Sequence, residues 1–165
     1  MANNIKNIID ELSTIATAFT EVNTFNFGKR SEINNKPAKS YPVIYVSHEI
    51  SAKTIERDVN SHLPKKREYP LQVIFYDTYK IANKATTDLQ TKYSELEIVA
   101  DKFWAEVNRR TIEDPASTRE FYIENFEDLT GDYQLEVHDG DLISITYTPV
   151  FRADNLQCTT GTFNY

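Results

Sequence analysis

Between Leu89 and Val107 an apolar or aromatic residue recurs at Leu89, Tyr93, Leu96, Ala100, Phe103 and Val107, at spacings of 4, 3, 4, 3 and 4. This is the period of one face of an α-helix sustained for five turns, and it commits the middle of the chain to a long helix with one face against a core. Thr87 and Gln90 have capping-box spacing at its start, where each side chain can accept from the other's backbone N–H. Arg109 and Arg110 fall in its last turn, where cations favour the negative end of the helix dipole, and Asp114-Pro115 closes it. Phe103 belongs to the core stripe. Trp104, one residue round, is expected at a sheet edge or an interface.

The run before this helix, Leu71 to Tyr79, is rich in β-branched and aromatic residues and reads as a strand with Leu71, Val73 and Phe75 on one face. At the N-terminus, Ile5, Ile8, Ile9, Leu12, Ile15, Ala16 and Phe19 mark a first amphipathic helix, with Asn3 or Asn4 available as its cap. Phe25-Asn26-Phe27-Gly28 follows as an aromatic-Gly turn, for which Gly28 permits a backbone angle closed to other residues. A charged, Asn-rich loop leads to Tyr41-Pro42, where proline holds Tyr41 extended and starts the strand Val43 to Val46. Ile50, Ile55 and Val59 suit an irregular strand ended by Ser61 to Pro64, after which Lys65-Lys66-Arg67 forms a basic loop tip.

The C-terminal third is β in character. Phe121 to Ile123 begins a strand, Leu129 to Asp132 turns the chain, and Tyr133, Leu135 and Val137 alternate with polar residues. Asp139-Gly140 marks a tight hairpin, and Leu142 to Phe151 returns with Ile143, Ile145 and Tyr147 on one face. These elements predict an α+β fold: a twisted, mainly antiparallel sheet of four to five strands, with the N-terminal helix and the long central helix on one face. Residues 1–151 form a single domain and 152–165 a polar tail.

Charge and composition bound the function. The net charge of −7 argues against nucleic-acid binding through neutralised phosphates as the main task, although DNA can pass such a protein without sticking. The single cysteine, Cys158, leaves no internal disulfide, as suits a reducing cytosol. The N-terminal pattern is not that of a signal peptide, and no apolar run approaches the ~20 residues of a membrane span, so a soluble protein is expected.

No catalytic constellation stands out. His48, His62 and His138 lie far apart without the paired spacing of a zinc site, and Cys158 has no local nucleophile signature. Glu124, Glu127, Asp128, Asp132, Glu136, Asp139 and Asp141 form an acidic cluster that matches no calcium loop. It reads either as a solvated face or as an acidic surface facing passing DNA. An acid–base hydrolase built on these carboxylates is the competing enzymatic reading. Against this acidity, Lys65, Lys66 and Arg67 suggest electrostatic matching to a neighbouring subunit, or simply an exposed charged turn. No enzyme activity, cofactor or metal is expected.

Four parts in order carry a resemblance over almost the whole chain. They are the helix Ile5–Phe19 ending in Phe27-Gly28, the Asn-rich loop with its Tyr41-Pro42 strand, the strand-plus-helix Leu71–Arg110, and the final hairpin Glu120–Phe151 with its Asn155- and Cys158-containing tail. Together they resemble the tail-completion, or tail-terminator, proteins of tailed bacteriophages. The charge in Ser47–Tyr69 and the length of the tail depart from that pattern. The resemblance implies a ring, hexameric or larger, at the head–tail (neck) joint of the virion, assembled in the host cytoplasm. It would dock on the tail tube on one side and on neck or portal-adaptor proteins on the other, with genomic DNA passing through its lumen. A neck or tail-ring adaptor of a short-tailed phage, and an adaptor module of a contractile secretion machine, are the related alternatives.

Overall fold

The computed structural model describes residues 5–29, 41–47, 52–57, 59, 60, 62, 64–79, 86–112, 121–136 and 142–153, with backbone alone at 64, 65, 86, 87, 111, 112, 121 and 136. Helix α1 (Ile5–Ala18) buries Ile8, Leu12, Ile15 and Ala16, with Ile5 and Ile9 packed beside them, as the period of its apolar residues requires. Helix α2 (Thr86–Ile112) buries Leu96, Ala100, Phe103 and Val107. The Thr87 side chain of the expected capping box, and the proposed caps Asn3 and Asn4, lie outside the described residues.

Nine strands accompany the helices among the described residues: β1 (Thr24–Gly28), β2 (Val43–Ser47), β3 (Lys53–Arg57), β4 (Pro64–Pro70), β5 (Val73–Thr78), β6 (Phe121–Ile123), β7 (Gly131–Glu136), β8 (Leu142–Tyr147) and β9 (Val150–Ala153). The mixed α+β class is as expected. A five-stranded sheet in the order β1-β2-β5-β8-β7 is joined by a second sheet of four strands, β3-β4-β9-β6. Among the described residues all pairings are antiparallel except β1 with β2, which is parallel from Thr24↔Val43 to Gly28↔Ser47.

The aromatic-Gly segment is therefore a strand and not a turn. No described glycine has a positive φ, so Gly28 does not use its special freedom, and pairing with β2 decides the conformation. Leu142 to Phe151, read as one strand, divides at Thr148-Pro149 between the two sheets. Proline offers no N–H to a ladder, and the strand breaks where that donor is missing.

That break is half of a corner. Strands β4 and β5 cross from one sheet to the other at Leu71-Gln72, and β8 and β9 cross beside them. One antiparallel ribbon thus runs through both sheets, paired Pro70↔Val150 before the bend and Val73↔Tyr147 after it. At the bend the Leu71 N–H donates to the Pro149 carbonyl at 3.0 Å, and the Ser47 N–H donates to the Gln72 carbonyl at 2.9 Å. Arg152 and Ala153 belong to β9, so the sheet continues two residues past the expected start of the tail.

The main core lies between the helices and the inner faces of both sheets. Ile44, Val46, Val73, Phe75, Ile143 and Ile145 come from the larger sheet, and Tyr69, Ile123, Phe151 and Ala153 from the smaller. Phe75 sits at its centre, edge-to-face with Phe103 at 5.5 Å, Trp104 at 6.1 Å and Tyr147 at 5.6 Å between ring centroids. Trp104 is only 4% exposed, which corrects its expected place at an edge. It lies four residues after Ala100 and three before Val107, and α2 touches both sheets, so the buried stripe is wider than one residue per turn. On the opposite face of the larger sheet, Val43, Tyr45, Ile74, Tyr76 and Leu142 form a second buried cluster. Burial there pushes the Tyr76 hydroxyl up to about 12.

Candidate interaction surface

Lys65, Lys66 and Arg67 stand in β4 and not at a loop tip. β4 is held from both sides, with Lys53↔Glu68, Thr54↔Arg67 and Glu56↔Lys66 on β3 and Arg67↔Ala153 on β9. Three charges in a row beside a proline look like a turn locally. Two neighbouring strands override that preference, because strand propensity depends on the partners a strand finds. Lys66 Nζ lies 3.1 Å from Glu56 Oε2, both about half exposed. The Lys65 side chain lies outside the described residues. His62 adopts a left-handed φ of 57° between the two strands, and its carbonyl accepts from Arg57 Nη1 at 3.0 Å. His48 and His138 lie outside the described residues.

The outer face of the smaller sheet carries a row that the sequence did not disclose. Lys53, Glu68, Arg152 and Tyr122 face one another across four strands. Arg152 Nη2 donates to Glu68 Oε1 at 2.8 Å, while Nη1 lies 3.0 Å from Glu124 Oε2 and 3.2 Å from the Tyr122 hydroxyl. Its guanidinium also lies 5.8 Å from the Tyr122 ring centroid, within cation–π range. The hydrogen bond to Glu68, more than any other contact, raises the already high Arg152 pKa. Only the strand pairing brings these residues together, since Arg152 is 84 positions from Glu68.

The acidic residues whose side chains are described do not converge. Glu124 is taken up by Arg152. Glu127 and Asp128 are exposed on a short 3-10 turn, Phe126–Asp128. Asp132 is exposed on β7 opposite Thr146, on the sheet face away from the helices. Glu136 ends β7, while Asp139 and Asp141, with the expected Asp139-Gly140 hairpin and Cys158, lie outside the described residues. Among the described residues no three His, Cys, Asp or Glu side chains are grouped to hold a metal ion.

A groove of about 400 Å³ opens between the C-terminal half of α2, the 3-10 turn and β8. Trp104 and Tyr147 line it together with Phe126 and Leu129 from the turn, and Asp101, Asn108 and Arg109 supply its polar groups. Arg109 forks onto Glu106, with Nε–Oε2 and Nη2–Oε1 both at 2.7 Å. Burial, with Asp101 and Glu97 nearby, pushes the Tyr147 hydroxyl up to about 12. Glu97 accepts a hydrogen bond from the Tyr133 hydroxyl, which drives that group up to about 12 as well. The side of α2 facing β7 and β8 is thus an acidic, tyrosine-rich strip. Beside it, at the edge of the larger sheet, Tyr133 and Leu135 remain 49% and 38% exposed. Sequence alternation placed these two on one strand face but could not tell that Tyr133 packs edge-to-face on Tyr93 of α2, at 5.4 Å between centroids, and still stays half exposed.

The described residues thus form a two-helix, two-sheet α+β fold with an aromatic-walled groove beside an exposed sheet edge. No described helix is long and apolar enough to cross a membrane. A scan against protein-family models finds no match, and a search of curated proteins finds none either.

Proposed function

We propose that this chain is a structural virion protein of a tailed bacteriophage, a ring-forming tail terminator at the joint between tail and head. The order of elements carries the reading. Helix α1, the paired strands β1 and β2, the unit β5–α2 and the hairpin-forming pair β7–β8 follow one another as that family's pattern requires. The exposed Tyr133 and Leu135 add support, because large apolar side chains left at a sheet edge suit an interface.

The work of such a protein is mechanical and involves no turnover. Heterologous contacts between copies close a ring, six subunits or more, which ends tube growth and leaves a lumen for DNA. One side of the ring docks on the tube and the other on neck or portal-adaptor proteins. Exposed carboxylates such as Glu127, Asp128 and Asp132 suit a surface that phosphate must slide past.

Electron microscopy of the purified protein, with its mass in solution from sedimentation velocity, tests this reading. Closed rings with a central hole are expected. A monomer at every concentration and salt tested, with no ring even when tail-tube protein is added, would overturn it.

A further inference from the structure

Strand β7 closes one end of the larger sheet, and among the described residues no strand pairs with its outer side. Its neighbour β8 is buried at every residue, whereas Asp132, Tyr133, Gln134 and Leu135 of β7 are all exposed. The register with β8 runs from Gly131↔Tyr147 to Glu136↔Leu142 without a shift. Proteins commonly blunt such an edge with lysine, proline or a bulge, and β7 has none of the three. Tyr133 and Leu135 pair with the core residues Ile145 and Ile143 and so lie on the helix side of the sheet, while Asp132 pairs with Thr146 on the other side.

We infer that β7 is a strand-addition site for an extended segment of another protein, one in which apolar side chains alternate with lysine or arginine. The edge of β7 supplies the main-chain ladder. The incoming apolar residues lie beside Tyr133 and Leu135, and the cationic ones beside Asp132, because side chains of adjacent strands meet on the same face. Charge selects the cation: residues 124–136 carry Glu124, Glu127, Asp128, Asp132 and Glu136 and no lysine or arginine.

Charge also disfavours a second β7. Two copies side by side would bring two strands with carboxylates and no cations together, and like charges on adjacent strands destabilise the pair. The other described edge strands of this chain do not supply the complement. Strands β1 (TFNFG) and β6 (FYI) carry no charge, and β3 (KTIER) has register shifts that interrupt a straight edge. The same carboxylates thus deter self-pairing and admit a basic partner. This site is independent of the ring reading.

A short labelled peptide alternating lysine with valine is the probe, with a glutamate–valine peptide as its control. Fluorescence anisotropy should show the lysine peptide binding and weakening as salt rises, and the glutamate peptide not binding. On binding, amide hydrogen exchange in residues 131–136 should slow, because outward N–H groups of β7 enter a ladder. Two further lysine peptides, N-methylated at odd or at even residues, separate strand pairing from charge attraction. A strand added at a sheet end pairs along one side only, so one of them should lose at least about tenfold in affinity while the other binds as before. The variant Asp132→Lys with Glu136→Lys, checked for folding by circular dichroism, should lose at least about tenfold as well. Asp132→Asn with Glu136→Gln stands in if that variant does not fold.

Equal binding by both N-methylated peptides, or unchanged exchange in β7, would overturn the site. If the β7 amides are already slow in the parent and speed up when dilution dissociates it in sedimentation velocity, a second copy is the occupant and the foreign strand is wrong. Failure of the site leaves the ring reading standing, since electron microscopy of the protein alone decides that.

Discussion

The side chain of Asn125 brackets the corner between the two sheets: its Oδ1 accepts from the Val150 N–H at 2.9 Å, and its Nδ2 donates to the Thr148 carbonyl at 3.4 Å. Asn125 precedes the 3-10 turn and Val150 opens β9, so one amide ties the turn to the point where β8 becomes β9. The Glu124 N–H adds a bond to the Val150 carbonyl at 2.8 Å.

Replacing Asn125 by Ala leaves the partly buried Val150 N–H without its acceptor. A loss of about 1–2 kcal/mol in urea denaturation is expected. Asn125→Asp keeps the acceptor but not the donor and should recover part of the loss. Equal stabilities for all three proteins would mean that water replaces the amide at no cost.

Phe103 has no exposed surface and meets Phe75 and Trp104 edge-to-face, whereas Ile98 on the same helix is 54% exposed. Phe103→Ala should cost about 3–5 kcal/mol, the usual range for an aromatic removed from a packed core. Ile98→Ala should stay within about 0.5 kcal/mol of the parent. Chemical denaturation of the two variants side by side checks the helix orientation. A reversed order would mean that α2 presents its other face to the core.

Gly131 opens β7 opposite Tyr147, and a Cβ built there would come within 2.6 Å of Ile145 Cγ2 and 3.0 Å of the Tyr147 ring. Both neighbours belong to the core and cannot swing away freely. Gly131→Ala should therefore destabilise by about 1–3 kcal/mol through overpacking, although alanine suits a strand no worse than glycine. Thermal melting would show it, and an unchanged or raised melting temperature would contradict the close approach.

Glu106 is held by the Arg109 and Arg110 side chains, with Arg109 contributing most, and its pKa falls from 4.5 to about 2. Arg110 reaches on to Glu11 of α1 at 2.9 Å, so the cluster also ties the two helices together. A carboxylate with a depressed folded-state pKa contributes its full stabilisation above the unfolded value and loses it as pH falls through the folded value. The advantage of the parent over Glu106→Gln should therefore be constant at neutral pH, shrink below about 4.5 and vanish near 2. Urea titrations of both proteins across that range test this. A gap independent of pH would show that packing, not charge, is the contribution.

Local periodicity carried much of this fold. The spacings 4, 3, 4, 3, 4 in α2 and the Ile-rich stripe of α1 determined both helices and the faces they bury, because a helix can remove apolar surface from water only on one side. Val73 and Phe75, and Ile143, Ile145 and Tyr147, lie on the core face as their alternation required. Tertiary structure alone decided the rest. Lys65 to Arg67 lie in a strand because β4 pairs with β3 along this stretch and with β9 from Arg67 onward, and Arg152 joined Glu68 because β9 pairs with β4. Trp104 entered the core because α2 spans two sheets. The groove exists only where α2, a 3-10 turn and β8 meet, elements whose own residues show no sign of one another. Pairings between strands tens of residues apart leave no periodic mark in either partner, so the sequence by itself settles which surfaces are apolar, and only the folded chain settles which of them meet.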